Sequence, residues 1–437
     1  MKKSNVFALI PIGVFVAIYL TLGIVFEYVM KIPMGFYNIP VVVAFLAALF
    51  VAVIQTQGVS LDKKFEIMGQ GVGDKNIITM LIIFLLAGIF VGVVGRNSAE
   101  SVAYLMLSVT PPRFAVIVLF VISCFVSTAM GTSVGTITLI TPIAVAISAS
   151  SEFPVALCVS SVIGGAMFGD NLSFISDTTI AACNGQGCRM KDKFKTNFAI
   201  VLPAAIVTLI VILVLSMNYD VPAIINKEYN LIEIIPYVLV LICGIAGVNV
   251  FVTLLTGIVS GSIIVSVTGN ITFPDLLSSM GSGASGMFET AMVAVLVAAL
   301  CALIKYNGGF EALLQGIRKV FKGSKAGQLG IGLLVGLMDV ATANNTVAIV
   351  MANPIASEMA KDFEITPRKT ASILDTFSCI TQGFLPYGAQ ILVALSTVST
   401  LGYELTAFEA IRYLVYPMAL LVSSLVFIFI IPQKKKA

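Results

Sequence analysis

Histidine and tryptophan are absent from this 437-residue chain, and charge is scarce: 11% of the residues are Asp, Glu, Lys or Arg, against about 25% in an ordinary soluble domain. Without histidine, proton transfer near neutral pH falls to carboxylates, or to a Lys or Cys with a shifted value, and a Cys2His2 zinc site is excluded. The seven cysteines mostly sit inside apolar runs as small hydrophobes. Cys183 and Cys188 share a polar loop but have no other ligands beside them, so no zinc site is expected there. The 25 basic and 22 acidic residues leave a net charge of +3. The basic residues stand singly or in short loop clusters, which speaks against a nucleic-acid partner.

What the chain has is grease: 58% hydrophobic residues and a mean hydropathy of +1.05. Soluble enzymes and secreted disulfide scaffolds are excluded. Apolar runs near 20 residues, the length that crosses a bilayer, recur from residue 6 to residue 431. The first, 6–29, follows Lys2 and Lys3 but is too long for a secretory signal and lacks a small-residue cleavage site, so it reads as a retained helix.

Sliding the chain along itself by 212 positions brings three groups into register. Met68-Gly69-Gln70-Gly71 falls on Met280-Gly281-Ser282-Gly283, Thr141-Pro142-Ile143-Ala144 falls on Asn353-Pro354-Ile355-Ala356, and the polar break at 169–178 falls on that at 381–390. Three matches at one offset point to duplication. The expected organisation is an N-terminal helix (1–38), a first repeat (39–190), a linking pair of helices (191–250), a second repeat (251–402), and a last helix with a basic tail (403–437). Charge opposes the copies. Loops 58–76 and 183–196 carry Lys63, Lys64 and Lys75, and Arg189, Lys191, Lys193 and Lys195, while their counterparts 270–288 and 395–408 carry no Lys or Arg. The bias reverses between 96–113 and the segment holding Arg318, Lys319, Lys322 and Lys325, and Lys361, Arg368 and Lys369 follow. By the positive-inside rule the copies face opposite ways, with both termini cytoplasmic, Lys434–Lys436 included, and about ten crossings. The expected fold is an all-α integral membrane protein, an inverted-repeat secondary transporter with two re-entrant hairpins and two broken helices.

Each hairpin has a polar tip. Arms of about 16 residues flank Met130-Gly131-Thr132-Ser133-Val134-Gly135-Thr136; at about 1.5 Å per residue they are shorter than the roughly 30 Å hydrocarbon core. The second tip is Asp339-Val340-Ala341-Thr342-Ala343-Asn344-Asn345-Thr346. Non-helical backbone at such depth must face protein or water, and its carbonyls, with Ser, Thr and Asn oxygens, suit Na⁺. The same small polar residues also serve helix packing. After each hairpin a helix breaks, at Gly169-Asp170-Asn171-Leu172-Ser173-Phe174-Ile175-Ser176-Asp177-Thr178-Thr179 and at Thr381-Gln382-Gly383-Phe384-Leu385-Pro386-Tyr387-Gly388-Ala389-Gln390. Pro386 removes a donor, and the Asp and Ser residues compete for the backbone. Asp177 is placed to cap the helix restarting at Thr178.

Four carboxylates lie deep in apolar runs: Asp170, Asp177, Asp339 and Asp375. Burial there costs about 2.5–3.5 kcal/mol, which makes them candidate coupling groups. A carboxylate that holds H⁺ in a dry site and releases it when Na⁺ arrives exchanges one ion for the other. Thr132, Ser133, Thr136, Asn171, Ser173, Ser176, Thr178, Asn344, Asn345, Gln382 and Tyr387 are the candidate binding residues, with a Na⁺ site expected at Ser133, Asp170, Ser173 and Asn344. No cofactor is expected beyond the ions themselves.

The Gly-Asp…Ser-Asp-Thr-Thr string at 169–179, with Gly131-Thr132-Ser133-Val134-Gly135-Thr136 upstream, resembles the NhaC family of Na⁺/H⁺ antiporters, of the ion transporter superfamily. The resemblance covers nearly the whole chain. It implies a prokaryotic inner-membrane antiporter, often a homodimer, that takes up protons while expelling Na⁺, and it adds weight to Asp170, Ser173, Ser176, Asp177 and Thr178. Asn171, Phe174 and Ile180 stand where Lys, Pro and Asn are common in that family. Members of the wider group exchange malate and lactate or carry amino acids, so Na⁺- or H⁺-coupled transport of a small organic solute is the alternative. An intramembrane aspartyl protease fits poorly, because Asp170 and Asp177 share one broken segment, Tyr219-Asp220 comes after Gly169-Asp170, and a Gly-x-Gly-Asp string is lacking.

Overall fold

The computed structural model describes residues 4–32, 41–173, 176–219, 228–246, 248–268, 271–321 and 323–430. Lys2, Lys3, Phe174, Asp220, Lys322 and Lys434–Lys436, used in the arguments above, lie outside the described residues. In chain order the helices are α1 (Ile10–Ile24), α2 (Val41–Gln55), α3 (Leu61–Val72), α4 (Lys75–Val109), α5 (Ala115–Met130), α6 (Ser133–Ser151), α7 (Val155–Leu172), α8 (Asp177–Gln186), α9 (Met190–Met217) and α10 (Leu231–Ile245). Then follow α11 (Val250–Val267), α12 (Phe273–Gly286), α13 (Phe288–Tyr306), α14 (Gly309–Val320), α15 (Ser324–Thr342), α16 (Asn345–Asp362), α17 (Pro367–Phe384), α18 (Ala389–Thr400), α19 (Ala407–Tyr413) and α20 (Val415–Ile430). Among the described residues there is no β-strand. Among the described residues eight helical stretches are long and apolar enough to cross a membrane, or nine if α19 and α20, bent by 52°, form one span. The protein is a multi-pass membrane protein.

The 212-residue shift holds element by element. Moved by that offset, α7 lands on α17 end to end, α6 starts where α16 starts, α5 ends where α15 ends, and α8 starts where α18 starts. Pro142 and Pro354, in register, lie inside α6 and α16. The tips have matching caps: Thr132 accepts from the Gly135 amide at 3.4 Å, and Asn344 accepts from the Val347 amide at 3.0 Å. Gly131 and Ala343, one residue earlier, both adopt left-handed backbone, at φ 71° and 48°. The arms have 16 and 19 residues in the first hairpin and 19 and 18 in the second, longer than the expected 16 in three of four cases, and both arms of the first hairpin are among the stretches long enough to cross a membrane.

Burial sorts the helices into core and rim. The α6 span is 83% buried and α7 89%, whereas α9 and α11 are 33% buried and expose Ile206, Ile210, Val252 and Val259. A helix apolar all round belongs inside, so the hairpins and broken helices form the core of a lipid-facing ring. Small residues allow the closest crossings: a Cβ on Gly88 would stand 2.2 Å from the Gly283 carbonyl oxygen, where α4 crosses α12.

Two expectations about loops need correction. Residues 96–109 continue α4 to Val109, because Ala99, Ala103 and Leu107 recur at helical spacing and bury one face. Lys193 and Lys369, counted as loop charges, are 1% and 7% exposed. Helix α9 begins at Met190 and turns Lys193 and Asn197 inward, while Lys191 and Lys195 stay outside. Lys369 sits over the Phe427 ring, 4.9 Å from its centroid. The charge contrast between the loops survives without them.

Candidate cation site at the hairpin tips

Four helices end and four begin around one small cavity. At the first tip α5 stops at Met130 and α6 starts at Ser133; at the second, α15 stops at Thr342 and α16 starts at Asn345. The breaks between α7 and α8 and between α17 and α18 complete the ring. The first tip contributes Thr132 and Ser133 to the wall, the second Asn344 and Asn345. The first break contributes Asp170, Ser176, Asp177 and Thr178; the second contributes Gln390. Met80 and Ile83 of α4 form an apolar side. The cavity measures about 70 Å³. One ordered water needs about 10–15 Å³, so this is room for a partly hydrated ion.

Asp170 is the buried acid of this cavity. Helix α7 is unwound just after Leu172, which leaves the Asp170 carboxylate in its last turn, 6% exposed. Ser133 donates to Oδ2 at 2.6 Å and Ser176 donates to Oδ1 at 2.8 Å. Each serine has one hydroxyl hydrogen, so Thr178, 2.8 Å from Ser176 Oγ, donates to it, and Gln390 Nε2 donates to Ser133 Oγ at 3.1 Å. Every hydrogen in both chains points toward Asp170. Asp177 opens α8 as its first residue and is exposed to the cavity; the capping position belongs to Ser176, whose hydroxyl is committed to Asp170 instead.

Behind the cavity lies a second polar cluster. Lys193 Nζ is 2.7 Å from Asp375 Oδ2, 3.0 Å from the Asn171 carbonyl oxygen and 2.6 Å from Thr179 Oγ1. Asn197 donates to the same Asp375 oxygen at 2.8 Å and to the Asn171 carbonyl at 2.9 Å, and it accepts from Ser372. The Asn171 side chain donates to Asp375 at 3.2 Å and accepts from Tyr416 at 3.0 Å. Sequence reading missed Lys193. The available signal was its four-residue spacing from Asn197, two polar residues that share one face of an otherwise apolar helix.

The remaining candidates lie off the cavity wall. Thr136 is buried one turn into α6 and donates to the Thr132 carbonyl at 2.9 Å. Ser173 is buried at the end of α7. Gln382, which the 212 offset places on Asp170, donates to the Ala343 carbonyl at 3.0 Å. Tyr387 donates to the Val340 carbonyl at 2.9 Å, its ring edge-on to Phe15 and Phe45. Asp339 is fully buried, and neither carboxylate oxygen has a hydrogen-bond partner among the described residues. Among the described residues no group of three or more His, Cys, Asp or Glu side chains could hold a resident metal ion. A wider cleft of about 400 Å³, with Asp74, Lys305 and Tyr306 in its wall, reaches Thr342 and Val347 beside the second tip.

The sequence model of the Na⁺/H⁺ antiporter family matches residues 4–217 and 227–431. The chain belongs to this family. It is 22% identical to the Na⁺/H⁺ antiporter NhaC of Alkalihalophilus pseudofirmus over 95% of this chain and 94% of that one. With the malate-2H⁺/Na⁺-lactate antiporter of Bacillus subtilis the identity is 23%, over 48% of this chain and 43% of that one. Other relatives are likewise matched in part: the chain spans 29% of the length of an uncharacterized protein of Haemophilus influenzae. The crystal structure of the Alcanivorax borkumensis YdaH transporter is similar at a TM-score of 0.45 and 14% identity, over 89% of this chain and 96% of that one. The family is one of transporters rather than enzymes, and its name implies Na⁺ and H⁺ as the ions exchanged.

Proposed function

We propose that this protein exchanges Na⁺ for H⁺ across a prokaryotic inner membrane by alternating access, with both termini cytoplasmic. Asp170 is the shared site. The observation that carries this reading is the pair of hydroxyl donors on one buried carboxylate in a wall of hydroxyl and amide oxygens, in a space sized for an ion. Ionised, Asp170 accepts both serine protons and attracts a hard cation, which takes oxygen ligands. Protonated on Oδ1, it donates to Ser176, whose hydroxyl turns to Thr178, a reversal that needs only rotation about C–O bonds. Asp177, at the mouth of the same cavity, is the second acid a cation meets. The other charged and titratable groups around Asp170 are Asp375, which Lys193 neutralises, Cys379 and Tyr416. Asp375 then keeps the site in shape, and Asp339 acts apart from the ion cavity. Ser133, Asp170 and Asn344 remain in the proposed Na⁺ site, with Ser173 supporting the break from behind.

The hairpins and broken helices of the two repeats, 39–190 and 251–402, which are inverted copies, move together against the remaining helices. We also propose a homodimer, as the family resemblance implies. The second reading, coupled transport of a small organic anion or amino acid, is favoured by the likeness to the lactate exchanger and by the wider cleft beside the second tip.

The experiment is reconstitution in liposomes loaded with a pH-sensitive dye. An imposed Na⁺ gradient should move protons in wild type. Asp170→Asn should abolish that movement, and Asp177→Asn should lower it at least tenfold, with both variants still inserted. Wild-type flux in Asp170→Asn, or Na⁺-dependent lactate or amino-acid uptake without proton movement by Na⁺ alone, would refute this reading.

A further inference from the structure

The direction of the Ser133 hydroxyl decides how Gln390 is oriented. Its hydrogen goes to Asp170 Oδ2, so its oxygen accepts from Gln390, and the amide must present Nε2 there. Gln390 Oε1 is thereby turned to the other side. That oxygen is buried and has no partner among the described residues, on a side chain 2% exposed that lines the cavity. A buried amide oxygen left without a partner is costly, so it calls for a donor or a cation. Gln390 belongs to α18, in the second half of the chain, while Asp170 belongs to α7 in the first.

We infer that Gln390 supplies an oxygen ligand to the transported cation, so that the cargo is held between an acid from one half of the protein and an amide carbonyl from the other. The inference rests on the cation–proton reading above. A neutral amide oxygen adds a ligand without adding charge to a cavity that already holds Asp170 and Asp177. It also prevents the amide NH₂ from facing the cargo: rotating the amide by 180° would set two lone-pair-bearing oxygens, Ser133 Oγ and Gln390 Oε1, against each other as long as Ser133 serves Asp170. The orientation of Gln390 is thus fixed through Ser133, which donates to Asp170 Oδ2 both when the acid is ionised and when its proton sits on Oδ1.

The test compares wild type, Gln390→Met and Gln390→Glu in liposomes, with Na⁺ as the varied ion at a pH where wild type is fully active. Gln390→Met keeps much of the volume and removes the ligand; it should raise the KM for Na⁺ at least tenfold while kcat stays within threefold. Gln390→Glu keeps oxygen at the position and should bring the KM back to within threefold of wild type or below it. An unchanged KM in Gln390→Met overturns the inference, as does an equal rise in both variants, which would mark a packing role. Monodisperse elution in detergent checks folding. If Gln390→Met does not elute intact, Gln390→Glu alone decides: a KM raised tenfold or more overturns the inference, and one within threefold or lower supports it. Absence of Na⁺-driven proton flux in wild type would instead overturn the exchange reading itself.

Discussion

Lys193 and Asp375 form an ion pair at 2.7 Å with both side chains 1% exposed, joining the start of α9 to the middle of α17 directly behind the break that carries Asp170. Lys193 also holds the carbonyl of Asn171, the residue next to Asp170. Breaking a buried pair from one side strands a charge and costs about 3–5 kcal/mol, whereas replacing both partners by apolar residues is often neutral. Lys193→Met and Asp375→Leu should therefore each lower the unfolding temperature in detergent markedly, and the double variant should recover most of the loss. A double variant as unstable as the worse single one would show that the pair is not the relevant unit.

The two tips differ at one left-handed position. Gly131 occupies it in the first tip at φ 71°, and Ala343 in the second at φ 48°. A residue with a Cβ pays about 1–2 kcal/mol for that conformation. Ala343→Gly should stabilise the protein by about 1 kcal/mol less the added chain entropy of glycine, and Gly131→Ala should destabilise it. Opposite signs in thermal unfolding of the two variants are the expected result; the same sign in both would contradict the strain argument.

Helix α7 lies so close to α5 that a side chain cannot enter. A Cβ on Gly169 would stand 2.4 Å from Ser127 Cβ and 2.5 Å from the Thr128 amide nitrogen, and one on Gly165 would stand 2.3 Å from the Phe120 carbonyl oxygen. Overpacking of this kind costs about 1–3 kcal/mol. Gly169→Ala also pushes Asp170 away from Ser133, so exchange should fall more than stability does. The comparison with Gly69→Ala, where a Cβ meets nothing within 4 Å, controls for the loss of glycine itself.

The parts of the fold legible in the sequence were those where local chemistry and position agree. Gly131-Thr132 and Ala343-Asn344 announce a tip because one residue tolerates or endures left-handed backbone and the next caps a helix, and the breaks announce themselves through Asp170, Ser176 and Pro386. Asp170, Ser133 and Asn344 were brought to one cavity as their place on tips and breaks implied. Lys193 was not legible as a buried charge, since nothing local tells a cation that it will find a carboxylate 182 positions away. Helix α4 was read too short because the Arg96-Asn97-Ser98 cluster looks like a loop, although Ala99, Ala103 and Leu107 carry the helical period onward. The position of Asp339 outside the cavity depends on how α15 is rotated, which its mixed face leaves open.

The inversion of the two halves can be read with two probes. Asp62 and Pro274 are related by the 212 offset, each in the first turn of its helix, α3 or α12, and both are exposed. Lys63, Lys64 and Lys75 surround the first, while the second helix and its flanks carry no basic residue, so the positive-inside rule puts them on opposite sides. In a background with the seven native cysteines replaced, Asp62→Cys should react with a membrane-impermeant maleimide only after the cell is opened, and Pro274→Cys should react in intact spheroplasts. Labelling of both from the same side would mean that the copies are parallel, and the meeting of their tips at one cavity would then need a different account from two hairpins entering from opposite faces.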